Sequence, residues 1–113
     1  MAPAPPPGWS PRRGEVYWVA LDKRRPAVVL SVDTLNRHAL DVCLVPITTA
    51  HRRRFSLRVP IQAAELGLKA DSWAKCDQVT TIEKSLLVYP SVGRISRDTI
   101  QKIEGAVRTA LGL

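Results

Sequence analysis

The stretch Lys23–Ser31, "KRRPAVVLS", sets three consecutive cations before a proline and then an uninterrupted apolar run. The run from Arg25 to Val32 reads as a strand that opens on a guanidinium. Upstream, "EVYWVAL" (Glu15–Leu21) is rich in aromatic and β-branched residues and reads as a buried strand. Only "DKR" separates the two, which makes them a tight hairpin. Downstream, "DTLNRHAL" is polar and turn-prone, and "DVCLVPIT" (Asp41–Thr48) is a third apolar run. Pro46 predicts that this third run is an edge strand or carries a bulge, because proline cannot donate to a ladder.

The strand from Arg25 and the strand from Asp41 have a predictable register. If they are antiparallel neighbours with the turn centred near Asn36, residues whose numbers sum to about 73 face each other. Arg25 then stands opposite Thr48, with Thr49, His51 and the cations Arg52, Arg53 and Arg54 just beyond. A fork of fixed N–H donors beside a hydroxyl, amid further cations that include Lys23 and Arg24, suits a phosphate group.

Further along, "SLRVPI" alternates as a short half-buried strand, and "QAAELGLKA" holds one helical turn ended by Gly67. In "SWAKCDQV" Ala74 and Cys76 face one way, while Trp73, Lys75 and Asp77 face the other. "LLVYPSVGRIS" continues as strand, interrupted at Pro90. Ser96 suits an N-cap with Asp98 in the first turn. Ile100, Ile103, Val107, Ala110 and Leu111 then form one helical stripe. The fold class expected is mainly β, a small antiparallel sheet with an amphipathic C-terminal helix.

The whole chain narrows the function. Its 113 residues suffice for a single domain with one modest core. Met1–Pro11 holds five of the nine prolines and reads as an extended, disordered arm with Trp9 in it, giving an arm over residues 1–12 and a domain over 13–113. Seventeen Lys and Arg against ten Asp and Glu leave a net charge of +7, which favours polyanionic partners, nucleic acid before membrane. No run approaches the roughly 20 apolar residues of a bilayer span, and the N-terminus lacks a signal-peptide core, so a cytoplasmic protein is expected. Cys43 and Cys76 match no zinc spacing and read as small apolar residues; no metal or cofactor is expected. His38 and His51 fall in polar loops without a visible partner; Trp18 and Trp73 are candidates to stack on bases, with core the stronger reading for Trp18.

"GEVYWV" (Gly14–Val19), "RPAVVLS" (Arg25–Ser31), "VPIT" (Val45–Thr48) and "DQVTTI" (Asp77–Ile82) occur in an order that resembles the MazF/PemK (Kid) family of toxin endoribonucleases. The resemblance extends from about Arg13 to the C-terminal helix. It implies an SH3-like barrel (PemK/CcdB-like), assembled as a homodimer, that cuts single-stranded RNA at short motifs without metal. The 2′-hydroxyl is the internal nucleophile, and the ends left are a cyclic phosphate and a 5′-hydroxyl. The family's catalytic arginine carries over to Arg25 and its threonine to Thr48.

In the PemK branch a basic residue and an aspartate precede a glutamine, matching Lys75, Asp77 and Gln78. Arg25 is assigned to the phosphorane and the leaving oxygen, and Thr48 to a non-bridging oxygen. Asp77 is assigned as base or as a group orienting a cation or the ribose. The RNA path is expected to involve Lys23, Arg24, Thr49 and His51, then Arg52 and Arg53, then Trp73, Lys75 and Gln78. A MazE-like antitoxin with an acidic segment is the implied protein partner. One departure is the loop between the first two strands, longer in many relatives and here only "DKR".

Two alternatives stand beside this reading. One is a non-enzymatic CcdB-like gyrase poison, whose family ends in Trp-Gly-Ile where this chain ends "ALGL". The other is an RNA-binding barrel without catalysis.

Overall fold

The computed structural model describes residues 3–20, 23–50 and 57–113. Its strands are β1 (Glu15–Ala20), β2 (Arg24–Val29), β3 (Asp41–Thr48), β4 (Arg58–Ile61), β5 (Ser72–Lys75), β6 (Thr80–Glu83) and β7 (Leu87–Arg94). Helix α1 (Asp33–His38) joins β2 to β3, α2 (Ala63–Leu66) joins β4 to β5, and α3 (Arg97–Leu111) follows β7. The paired strands are antiparallel and run in the order β4-β5-β3-β2-β1-β7, with β6 also on β3. A mainly antiparallel sheet with a C-terminal helix is therefore what forms.

The predicted register holds. Ala27 faces Pro46, Val28 faces Val45 and Val29 faces Leu44; the observed pairs end there, and Arg25 and Thr48 lie two residues beyond at the same end of the two strands.

Pro46 is nonetheless not at an edge. β3 pairs with β2 on one side and with β6 and β5 on the other. Leu30 N donates to Cys43 O, so by alternation the residue 46 position turns its missing N–H away from β2. On that far side β6 stops at Leu44 and β5 starts at Ile47. The proline occupies the change of partner, where no ladder bond is required of it.

Other elements differ from expectation for identifiable reasons. "DTLNRH" is a short helix held by tertiary contacts. Asp33 Oδ1 accepts from Arg13 N at 2.8 Å, and the fully buried Asn36 donates Nδ2 to Ser31 O at 2.8 Å while Ser31 Oγ donates to its Oδ1. Strand β7 passes through Pro90 instead of breaking there: its partners shift from Val88 opposite Trp18 to Gly93 opposite Val16, a wide bulge that takes up the proline. The strand from Ser72 ends at Lys75, and Gln78 N closes a turn onto Lys75 O at 3.0 Å.

The supposedly loose arm is packed at its end. Pro11 is fully buried, and Trp9 sets its ring edge-on to Tyr17 (5.9 Å) and Tyr89 (5.8 Å).

Two apolar clusters lie on opposite faces of the sheet. One gathers Val16, Val28, Val45, Ile61 and Ala74 under Ile103 of α3, and the other Tyr17, Val19, Val29, Val42 and Leu44. Ser96 caps α3 as expected, accepting from Thr99 N at 3.2 Å. Glu65 of α2 adds a second cap by accepting from Ser96 N at 2.7 Å. Leu111, counted in the apolar stripe, is 55% exposed at the helix end. Helix α2 packs on β7, and α3 on β4, so the helices bring the two outer strands of the sheet under common cover. Among the described residues no helix is long and apolar enough to cross a membrane.

Candidate nucleic-acid interface and active site

The end of the sheet where β2 begins and β3 finishes opens into a cleft of about 800 Å³. Antiparallel pairing makes this inevitable, because the first residues of one strand meet the last of its neighbour. Arg25 and Thr48 both line it. So do Lys23, Arg24, Arg58, Lys69 and Lys75, making six cations with Arg25; no carboxylate, imidazole or thiol joins them among the described lining residues. Such a wall attracts a polyanion.

Thr48 is held in a useful state. Its Oγ1 accepts from Ala50 N at 3.1 Å, which occupies an acceptor site and leaves the hydroxyl proton to point elsewhere. Across β3 and β5, Thr48 faces Trp73, and on the next strand Trp73 faces Pro60. Two residues along, Lys75 faces Arg58. Strand alternation thus puts Thr48, Trp73, Lys75 and Arg58 on one face, at the mouth where Arg25 enters.

Not every expected residue lies in the cleft lining. Lys23, Arg24, Arg25, Thr48, Thr49 and Lys75 do; Trp73 sits on the same sheet face beside Thr48. Asp77 and Gln78 belong to the exposed turn past the end of β5 and do not line it. His51, Arg52 and Arg53 lie outside the described residues. His38 ends α1, at the opposite end of the β2–β3 hairpin from Arg25.

Three contributors were not assigned from the sequence. Trp18, expected in the core, is half-buried and lines the cleft with the Arg24 guanidinium 5.3 Å from its ring centroid, a cation–π arrangement. Its neighbours Tyr17 and Val19 take the opposite face, so period-two alternation was the available signal. Arg58 and Lys69 also enter; Arg58 donates from Nη1 to Ala50 O at 2.8 Å.

A family described as PemK-like, MazF-like toxins of type II toxin–antitoxin systems matches residues 12–111. The chain belongs to this family. Among its relatives, Endoribonuclease MazF9 of Mycobacterium tuberculosis is 30% identical over 90% of this chain and 97% of its own length. Endoribonuclease MazF1 of Mycobacterium bovis is 31% identical over 92% and 95%. A solved mycobacterial endoribonuclease in complex with its cognate antitoxin superposes with a TM-score of 0.81 at 31% identity, covering 92% of this chain and 97% of that one. The match thus spans the toxin fold from the residues before β1 to the end of α3.

Proposed function

We propose that this toxin-family chain is a metal-independent endoribonuclease that cuts single-stranded RNA at short motifs, working in the cytoplasm as a homodimer of SH3-like barrels. The observation that carries the reading is the meeting of Arg25 and Thr48 in a cleft walled by six cations. The packing of α2 on β7 and α3 on β4 supports the barrel. The solved relative with its cognate antitoxin supports an antitoxin partner. A basic cleft suits an acidic antitoxin segment, which would compete with RNA phosphates for the same donors.

The reaction needs only the RNA's own atoms. The ribose 2′-oxygen bonds to the adjacent phosphorus while the bond from phosphorus to the 5′-oxygen breaks, leaving a 2′,3′-cyclic phosphate and a 5′-hydroxyl. One proton leaves the 2′-oxygen and one arrives at the 5′-oxygen. A guanidinium keeps its proton at ordinary pH and is a poor base, so Arg25 serves as a directed donor to the pentacoordinate phosphorane. Thr48 donates its hydroxyl proton to a non-bridging oxygen. Asp77 lies on the turn after β5, outside the cleft lining, so its assigned part is to orient the ribose of a neighbouring nucleotide, and a solvent water accepts the 2′ proton.

The test is cleavage of a long RNA in EDTA, followed by end analysis. Fragments that accept a kinase-transferred phosphate at the 5′ end without prior phosphatase treatment are expected. Intact RNA in EDTA, or gyrase inhibition without RNA cleavage, would overturn the proposal.

A further inference from the structure

Ala50 is gripped from both sides of its residue. Its N–H is taken by Thr48 Oγ1 at 3.1 Å, and its carbonyl accepts from Arg58 Nη1 at 2.8 Å. Arg58 opens β4, and β5 lies between β4 and β3. The guanidinium therefore reaches laterally over the Lys75 and Trp73 strand to the exit of β3. The Ala50 carbonyl belongs to the peptide unit after Ala50 and its N–H to the unit before it; the two planes meet at the Ala50 Cα, so a guanidinium that holds the oxygen restrains this Cα and, through it, the N–H bound to the Thr48 hydroxyl.

We propose that Arg58 is a positioning residue for Thr48, acting through the Ala50 carbonyl and setting the direction in which the Thr48 hydroxyl donates. This rests on the reading of Thr48 as a catalytic donor. An arginine suits the place because one N–H of its planar fork can bind the carbonyl while the charge still faces the cleft. Lysine would supply the charge as a rotating point donor, without the fixed direction.

A plain phosphate contact by Arg58 predicts something different. In that case Arg58→Lys would retain most of the activity, KM would carry the loss in Arg58→Gln, and the salt dependence of RNA binding would fall by about 0.7 in log–log slope. Positioning predicts a loss in kcat of about 10- to 100-fold in both variants. It also predicts that the loss vanishes when Thr48 is already Val, since there is no hydroxyl left to aim.

The experiment is a cycle of wild type, Arg58→Lys, Arg58→Gln, Thr48→Val and the two doubles, assayed on one RNA at saturating concentration, with melting temperatures recorded. Should Arg58→Gln fail to fold, Arg58→Lys keeps stem and charge and carries the cycle. A kcat loss in Arg58→Lys that disappears in the Thr48→Val background is the expected result. Full activity in Arg58→Lys, or losses that multiply independently of Thr48, would overturn the inference. Wild type that leaves RNA uncut would instead defeat the ribonuclease reading itself.

Discussion

Thr48 stands directly opposite Trp73 across β3 and β5, and Arg25 lines the same cleft from β2. A phosphate held between the guanidinium and the hydroxyl would have the indole beside it, where a neighbouring base can stack. Base–aromatic stacking contributes about 1–3 kcal/mol per base, so Trp73→Ala should weaken binding of a non-cleavable RNA roughly 5- to 150-fold. Fluorescence anisotropy with 2′-O-methyl RNA measures this. Unchanged affinity would move the base to Trp18, the half-buried aromatic of the cleft.

Replacing Arg25 by Lys preserves charge and removes the planar fork, so cleavage should fall while RNA binding persists. Loss of one preorganised donor typically costs about 100- to 1,000-fold in rate, and Thr48→Val should approach the lower figure. The double variant should be far less impaired than the product of the two losses if both touch one phosphate. Single-turnover cleavage rates for variants that melt near the wild-type temperature decide the matter.

The central part of this arrangement was legible because a hairpin register is arithmetic. Two apolar runs and a polar link fix which residues meet, and the Ala27–Pro46 pair falls where counting placed it. The short helical turn ended by Gly67, in the left-handed conformation at φ 64°, and the Ser96 cap were legible for the same local reason. What escaped depends on partners distant in the chain. Helix α1 lacks an apolar period and is held by Arg13 and Ser31. The four residues of β6 show too little pattern to stand out, yet they pair along β3. Alternation predicted a face shared by Lys75 and Asp77, but the chain turns after Lys75. Arg58 looked like a solvent-facing strand residue because its target, Ala50, lies on another strand's exit.

The packed arm has a measurable consequence. Trp9 is half-buried and meets two tyrosine rings edge-on, and each such pair is worth about 0.5–1.5 kcal/mol beyond burial. Trp9→Ala should therefore cost about 1–3 kcal/mol, lowering the melting temperature by roughly 5–15 °C in a domain of this size. Deleting residues 1–5 should cost far less. Equal melting temperatures for Trp9→Ala and wild type would show that the arm is not part of the core.

The two cysteines should separate by reactivity. Burial pushes the Cys76 thiol up to about 11, with Asp77 adding to the rise against a backbone hydrogen bond that opposes it. At pH 8 only about one part in a thousand of such a thiol is ionised, so Cys76 should resist a thiol reagent until the chain unfolds, while half-buried Cys43 reacts first. The raised value also sets a stability window. Folding holds the thiol neutral, so its contribution is complete below the unfolded value near 9 and is lost as pH climbs through about 11. Cys76→Ala should show a shallower alkaline decline in denaturant midpoint between those limits than wild type.

Six cations on one cleft wall should make RNA affinity strongly dependent on salt. A single strand releases about 0.7 counterions per phosphate neutralised, so about four phosphate contacts give a log–log slope near −3 and a loss of roughly 50-fold between 50 and 200 mM salt. Lys69 lines the cleft from the link between α2 and β5, away from the Arg25–Thr48 pair in sequence and element, and is taken as one of these contacts. Lys69→Ala should reduce the slope by about 0.7 and weaken all RNA sequences alike, with the cleavage motif unchanged. Titrations at four salt concentrations on two unrelated RNAs measure both quantities. A slope near zero in wild type would mean that the cationic wall is not where the strand lies. A changed cleavage motif in Lys69→Ala would make Lys69 a reader of bases instead of a phosphate contact.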